Sequence, residues 1–354
     1  MNVLALTKYA RLGASSRLRT YQYADANELS RVNWHVVPLL DDKYIEALYK
    51  KKRIGVIYLL QRYFSRFLIL FHAISYDVVW IEKELFPGLP AWAEQILAFL
   101  GVRYIVDYDD AIFHNYDQSK SLTKRVLRKK IDTVMRCSAL VTAGNKYLAD
   151  RAISAGAQWV EIFPTVIDLN RYPIIDITNT SSILTIGWIG SPSTVKYLNL
   201  VLPVLDKLEA KINFQFVVIG AEIEAPERKY LRCIQWEEKT EVESILAFDI
   251  GVMPLLDAPF ERGKCGYKLI QYMACSKAVI ASPVGVNCEL VRDGLNGFLA
   301  VDEVQWEQAI IALASDRVLC LNMGKEGRKL VEKMYSLQRT APRLEVFFDK
   351  VGEN

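Results

Sequence analysis

The sequence predicts an α/β protein of two lobes, each built on a parallel sheet, and three observations carry that prediction. Short apolar runs rich in Val and Ile alternate with longer helical patterns, the signature of βαβ units. The series occurs twice, separated by a polar, turn-rich stretch. The length of 354 residues suits two cores, at roughly 150 residues per domain.

The first series of strands falls at residues 3–7, 34–39, 78–81, 103–106, 140–143 and 160–163, each followed by polar or glycine-containing residues. Residues 168–182 carry neither a helical nor a strand period and are expected to form the linker. The second series falls at 184–188, 214–219, 232–235, 250–253, 278–281 and 297–300. Two Rossmann-like halves, 1–170 and 171–338, are the simplest architecture.

Composition removes several classes of function. With 24% charged and 51% apolar residues, the chain is neither disordered nor fibrous. A net charge of +3 disfavours binding nucleic acid by phosphate neutralisation. Six cysteines are scattered without a CxxC pair, so a reducing cytosol is expected, and no Cys/His spacing closes a zinc site. The opening Met-Asn-Val-Leu-Ala-Leu-Thr-Lys reads as a first buried strand rather than a secretory signal. The longest apolar tract, 54–74, is interrupted by Gln61, Arg62 and Arg66, so no membrane span is expected.

Charge divides unevenly between the halves. Residues 1–170 hold 23 Lys and Arg against 17 Asp and Glu, whereas the remainder holds 21 against 24. Much of the basic excess lies in residues 50–71, where Lys50, Lys51, Lys52, Arg53, Arg62 and Arg66 interleave with Tyr58, Leu59, Tyr63, Phe64, Phe67, Leu70 and Phe71. The pattern is that of an amphipathic helix on a membrane surface, and equally that of a core helix with a solvated basic face. The run Lys124 to Lys130 reads as a solvated helix face.

Open α/β lobes bind ligands at the carboxyl ends of their strands, so the residues after each strand are the candidates. After 3–7 comes a small-residue turn, Gly13, Ala14, Ser15, Ser16 and Arg17, whose amides and hydroxyls suit an anion or a sugar. The competing account is a tight turn capped by Ser15 or Ser16. After 103–106 come Asp107, Asp109 and Asp110, three carboxylates in four residues. Crowded carboxylates resist burial without partners. Sugar hydroxyls would supply donors; a metal is the other account, but His114 gives no recognised ligand spacing, and helix capping competes for one of the three. Glu82 and Glu84 would lie at the same edge, although exposed loop acids are common.

In the second half, Gly187 to Lys196 follows a strand with a glycine turn containing Gly190 and Ser191. The segment Phe260 to Ala274 is more informative. Gly263 and Gly266 permit close backbone approach, Lys264 and Lys268 add positive charge, and a helix beginning near Tyr267 offers amide donors. Together with Cys265, these residues make an environment shaped for a pyrophosphate.

Residues Gly263 to Gly285, followed by Glu289-Leu290-Val291-Arg292-Asp293-Gly294-Leu295-Asn296-Gly297-Phe298, resemble retaining nucleotide-sugar glycosyltransferases of the GT-B fold, similar to glycosyltransferase family 4. The resemblance spans the chain and is most specific over 184–300. It implies two Rossmann-like domains facing each other across a cleft, with the acceptor on 1–170 and the nucleotide sugar on 171–338. It also implies a last helix within 339–354, over 343–351, crossing back to the first domain. The family's arginine-and-lysine pair after the first strand of the second domain is matched at Lys196, with Ser191 in place of arginine. Its pair of glutamates falls on Gly263 and Gln271, leaving Gln271 to meet ribose hydroxyls and Glu261 or Lys264 to compensate. A histidine common in the family aligns best with Asp109.

The implied activity is transfer of a hexose-like sugar from a UDP- or GDP-sugar to an acceptor hydroxyl with retention, in bacterial-type surface polysaccharide or glycolipid assembly. Lys196, Lys264 and Lys268 would stabilise the departing diphosphate, with Asp109 and Asp110 acting on the acceptor side. No metal or cofactor beyond the donor is implied. The expected partners are the nucleotide sugar and a glycan or lipid-linked acceptor, with a peripheral membrane contact through 50–71 and a cytoplasmic location at the inner face of the cell membrane. The alternatives are an epimerase or hydrolase on the same scaffold, which would turn over without acceptor, and a catalytically silent binding protein, which the absent glutamates favour and the lysines oppose. An oxidoreductase is disfavoured because neither half has a GxGxxG followed by an acid about 20 residues on.

Overall fold

The computed structural model describes residues 1–26, 29–50, 52–174 and 183–353. Lys51 and the second part of the expected linker, 175–182, lie outside the described residues. The chain forms two compact units. Unit 1 comprises Met1–Thr165, Arg262–Cys265 and Leu337–Asn354; unit 2 comprises Val166–Glu261 and Gly266–Ser336.

Unit 1 is built on six parallel strands, β1 (Asn2–Tyr9), β2 (Asn33–Leu40), β3 (Val78–Glu82), β4 (Tyr104–Tyr108), β5 (Leu140–Ala143) and β6 (Val160–Ile162), in the order β2-β1-β3-β4-β5-β6. Val3–Leu6 of β1 and all of β3 are buried, as strands covered on both faces must be, and this accounts for their unbroken apolar runs. The order reverses between β1 and β3, which makes their carboxyl ends the natural ligand position of this sheet.

The final helix, Leu337–Glu353, belongs to unit 1. Phe348 meets Trp34 and Trp80 edge-on at 5.3 and 5.9 Å, and Tyr23 and Thr340 share a hydrogen bond of 2.8 Å. The helix begins six residues before the expected 343 because Pro342, which ordinarily bounds a helix, sits inside it.

Unit 2 repeats the design with β7 (Leu184–Ile189), β8 (Phe214–Ile219), β9 (Leu231–Ile234), β10 (Ile250–Met253), β11 (Ala278–Ala281) and β12 (Gly297–Leu299). Their order is β12-β11-β10-β7-β8-β9, all parallel, reversing between β7 and β10. The predicted fold class is therefore the observed one, with strand ends moved by one or two residues. One of these shifts matters: β4 runs through Tyr108, so Asp107 is a strand residue and not part of the following loop.

The helix Val56–Leu70 departs from both accounts of its basic residues. Arg66 is buried and donates to the carbonyls of Thr7 and Val37 at 2.6 and 2.9 Å, while Arg62 donates to those of Leu39 and Pro38 at 2.7 and 2.9 Å. These two arginines hold the helix to β1 and β2 and are not surface cations. The outward side is apolar instead.

Candidate active site

At the reversal in unit 1, β1 leads into the turn that carries Gly13, and a helical turn Ala14–Ser16 continues into a π-helical stretch, Arg17–Tyr21. Neither Ser15 nor Ser16 caps this start. Instead the Ser16 hydroxyl donates to Glu82 at 2.6 Å, and the Lys8 amide donates to the same carboxylate at 3.0 Å. Arg17 is buried, and its guanidinium reaches the Arg11 carbonyl at 3.4 Å.

The centre of this edge is a residue the sequence did not single out. Lys83, one position beyond β3, has φ +66, and its buried ammonium lies 2.7 Å from Asp109, 3.1 Å from the Ser15 hydroxyl and 3.5 Å from Asp110. Burial opposes its charge, but Asp109, Asp110 and Glu82 outweigh burial and hold Lys83 well above the usual lysine range. Asp109 is likewise disfavoured by burial yet held below the usual carboxylate range by Lys83 and a hydrogen bond from Ser15. Asp110 is pushed upward by burial and by the charge of Asp109, with Lys83 and Lys264 opposing. Burial also raises Glu82, whose Oε1 has no hydrogen-bond partner among the described residues.

Asp109 and Asp110 thus have a cationic partner, which corrects the expectation of crowded, unpartnered charge. They are not equivalent: Asp109 is spent on Lys83, while Asp110 keeps 30% of its side chain exposed. Asp107 is absorbed by a buried ion pair with Arg19 and a 2.7 Å bond from Thr142. Glu84, expected at the same edge as Glu82, is engaged inside unit 1. It is buried against Lys130 and accepts from the Tyr116 hydroxyl at 2.8 Å.

Arg262–Cys265 also belongs to unit 1. Asn145 caps the helix Lys146–Ser154 and donates its amide to the Lys264 carbonyl at 2.9 Å. A Cβ on Gly263 would lie 2.4 Å from the Ala111 Cβ, so a glutamate here requires the Ala111 loop to shift. Lys264 supplies a positive charge felt by Asp110. Cys265 is half-buried beside it.

In unit 2, β7 ends in Gly190 and Ser191 at the second reversal. The Ser191 amide is held by the Thr194 hydroxyl at 3.2 Å, and a Cβ on Gly190 would strike the Trp188 ring at 2.4 Å. The exposed Lys196 follows on a 3-10 stretch, Val195–Leu200, with its ammonium 5.0 Å from the centre of the Tyr197 ring. Tyr197 donates to Glu261, which draws that carboxylate towards the stretch carrying Lys196.

The helix Tyr267–Ala274 opens at Gly266, whose φ of +67 only glycine adopts without strain. Lys268, in its first turn, stands 5.4 Å over the Trp188 ring at the end of β7, which brings one cation of the predicted set to the strand edge. Gln271, expected at the ribose, is buried, and its amide donates to the Tyr172 hydroxyl, which in turn donates to Glu241. Among the described residues, no group of three or more His, Cys, Asp and Glu is arranged to hold a metal ion.

Residues 181–316 match the family described as group 1 glycosyl transferases. No curated protein matches the chain by sequence. Among solved structures the chain is similar to sucrose-phosphate synthase from Thermosynechococcus elongatus, with a TM-score of 0.74 and 14% identity over 99% of each chain. It is similar to the Anabaena protein HepE in complex with UDP, with a TM-score of 0.73 and 14% identity over 99% of this chain and 100% of that one. HepE with UDP-glucose gives the same values. A glycosyltransferase from Rickettsia africae gives a TM-score of 0.70 and 12% identity over 100% of this chain and 99% of that one. At such identities the likeness speaks to the fold, and the fold is GT-B.

Proposed function

We propose that this chain, a GT-B protein whose residues 181–316 match the group 1 glycosyl transferases, moves a sugar from a nucleoside-diphosphate sugar to an acceptor hydroxyl with retention at the anomeric carbon. The observation that carries the proposal is Lys268 over Trp188, at the start of a helix opened by the left-handed Gly266 and at the order reversal of a parallel sheet. A diphosphate there would meet helix amides and the charges of Lys268 and Lys196. Such fixed donors lower the barrier by stabilising the negative charge that grows on the leaving group. They do so without a metal.

HepE has been solved with UDP, with UDP and glucose, and with UDP-glucose, which supports a UDP-sugar as the donor. On the acceptor side, Asp110, Ser15 and the amides of the Gly13–Ala14 turn offer acceptors and donors for sugar hydroxyls. The acceptor would be a glycan or lipid-linked sugar in polysaccharide or glycolipid assembly, met at the inner face of the membrane through a peripheral contact of residues 50–71.

A thermal-shift panel of UDP, GDP, ADP and their common sugars tests the donor, because a ligand that binds only the folded chain raises its midpoint. Stabilisation by one nucleotide family, lost on Lys268→Ala, is the expected result. Anomeric analysis of the product then tests retention. Binding without transfer to any acceptor would favour a silent binding protein, for which the absence of a carboxylate at Gly263 already speaks. Turnover without acceptor would favour a hydrolase or epimerase.

A further inference from the structure

The helix Val56–Leu70 presents its apolar side to solvent. Ile57, Leu60, Phe64, Phe67 and Phe71 recur at steps of three and four, one stripe of a helix, and all five are exposed, Ile57 at 73%. The inward arginines already hold the helix in place, so its stability does not depend on that stripe being covered. A second helix, Trp92–Phe99, extends the patch. Trp92 lies 6.2 Å from Phe67 and is stacked on Phe86, while Ile96 and Phe99 project beyond it, Phe99 at 90% exposure. Contiguous apolar surface of this kind marks an interaction site.

Charge selects the occupant. No carboxylate occurs between Glu46 and Asp77, and Glu94, the one acid on the second helix, is buried and accepts from the Leu85 amide. Lys50, Lys52 and Arg53 stand exposed just before the first helix, Lys50 at 3.9 Å from the Glu46 carboxylate. A second copy of the chain would bring this face, with its excess of positive charge, against itself, without the run of opposite charges that flanks paired helices. An anionic bilayer matches both features, since acyl chains take up the phenylalanines and tryptophan while headgroups meet the lysines and arginine.

We propose that these two helices form one ridge that inserts shallowly into an anionic bilayer. This deepens the peripheral contact proposed above: insertion of the stripe holds the chain, the cluster at Lys50–Arg53 selects the lipid, and Arg62 and Arg66 serve the fold. The test needs no nucleotide or acceptor, so its failure leaves the transferase activity standing, and failure of the transferase activity leaves the ridge standing.

The full chain is floated with vesicles of equal parts phosphatidylglycerol and phosphatidylcholine, and with phosphatidylcholine alone. The wild type should float with the mixed vesicles and stay partly bound in high salt. Replacing Ile57, Leu60 and Phe64 together by Ser should lower binding by about tenfold or more without moving the unfolding midpoint, because these side chains are solvated in the free protein. Lys50→Glu with Lys52→Glu and Arg53→Glu should abolish the preference for phosphatidylglycerol. Brominated lipid should quench tryptophan emission in the wild type, and Trp92→Phe should remove that quenching, which decides the matter even if the triple serine variant folds poorly. A wild type that binds neither vesicle, a serine variant that binds as the wild type does, or a wild-type dimer that the serine variant dissolves would each overturn the proposal.

Discussion

The ammonium of Lys83 lies 2.7 Å from the carboxylate of Asp109, both groups are buried, and the backbone at Lys83 is left-handed. A non-glycine residue in that conformation is strained by roughly 1–3 kcal/mol and persists only where its surroundings enforce it. Here the enforcing interaction is the ion pair, which ties the end of β3 to the loop after β4. Replacing Lys83 by Met is therefore expected to leave Asp109 and Glu82 as uncompensated buried acids and to cost about 3–5 kcal/mol in urea unfolding. Adding Asp109→Asn to that variant should recover part of the loss. Equal stability of wild type and Lys83→Met would remove the pair from the account of the fold.

The two neighbouring carboxyls should contribute to acid stability with opposite signs. Asp109 is held below the ordinary range, so as pH falls the unfolded chain takes up its proton first. Its contribution is present in full above the ordinary carboxylate pKa of about 4 and is lost as pH falls through the lower folded value. Asp110 is raised, so the folded chain keeps its proton to higher pH, and its ionisation weakens the fold as pH climbs past the ordinary value. Asp110→Asn should accordingly raise stability at neutral pH and Asp109→Asn should lower it, measured as unfolding midpoints from pH 7 down to about 3. The same direction for both variants would contradict this assignment.

The strands were legible because parallel sheets bury both faces, and an uninterrupted run such as Val78–Ile81 has no other use in this composition. The sites were legible only to the strand end. Lys83 is not legible between Glu82 and Glu84 because neither its left-handed backbone nor its burial leaves a local signature. Arg62 and Arg66 are hidden for a related reason. Periodicity shows that a helix has two faces, but not that strand-end carbonyls at Thr7, Val37, Pro38 and Leu39 wait under the charged one. Gln271 likewise matched a pattern in sequence, while its partner Tyr172 stands 99 positions away.

Gly263 offers a test of what replaced the glutamate pair. The bare backbone there approaches Ala111 too closely for any Cβ, so Gly263→Glu should not restore a family-like carboxylate. It should instead destabilise the chain by about 1–3 kcal/mol, as overpacking does, and lower activity. A stable and more active Gly263→Glu variant would mean that the loop yields and that the close approach is incidental.

The two cations of unit 2 make separable predictions about the diphosphate. Lys268 is placed over Trp188 in the first turn of its helix, where its charge adds to the helix amides, whereas Lys196 is exposed on a 3-10 stretch beside Tyr197. If both meet the leaving group, Lys268→Ala and Lys196→Ala should each cost about 2–4 kcal/mol in kcat/KM. A cation that acts mainly on the charge developing at the bond that breaks lowers kcat while sparing the thermal shift produced by the bound nucleotide; one that grips the ground-state diphosphate lowers both. Lys268, set against the aromatic ring at the strand end, is expected to lower both. Lys196, with the freer side chain, is expected to act mainly through kcat. Unfolding curves serve as the control: the exposed Lys196 should be replaceable at the wild-type midpoint, and any shift in Lys268→Ala, which loses its contact with the buried Trp188 ring, is measured apart from the kinetics. Unchanged kinetics in both variants would remove the diphosphate from this edge of the sheet.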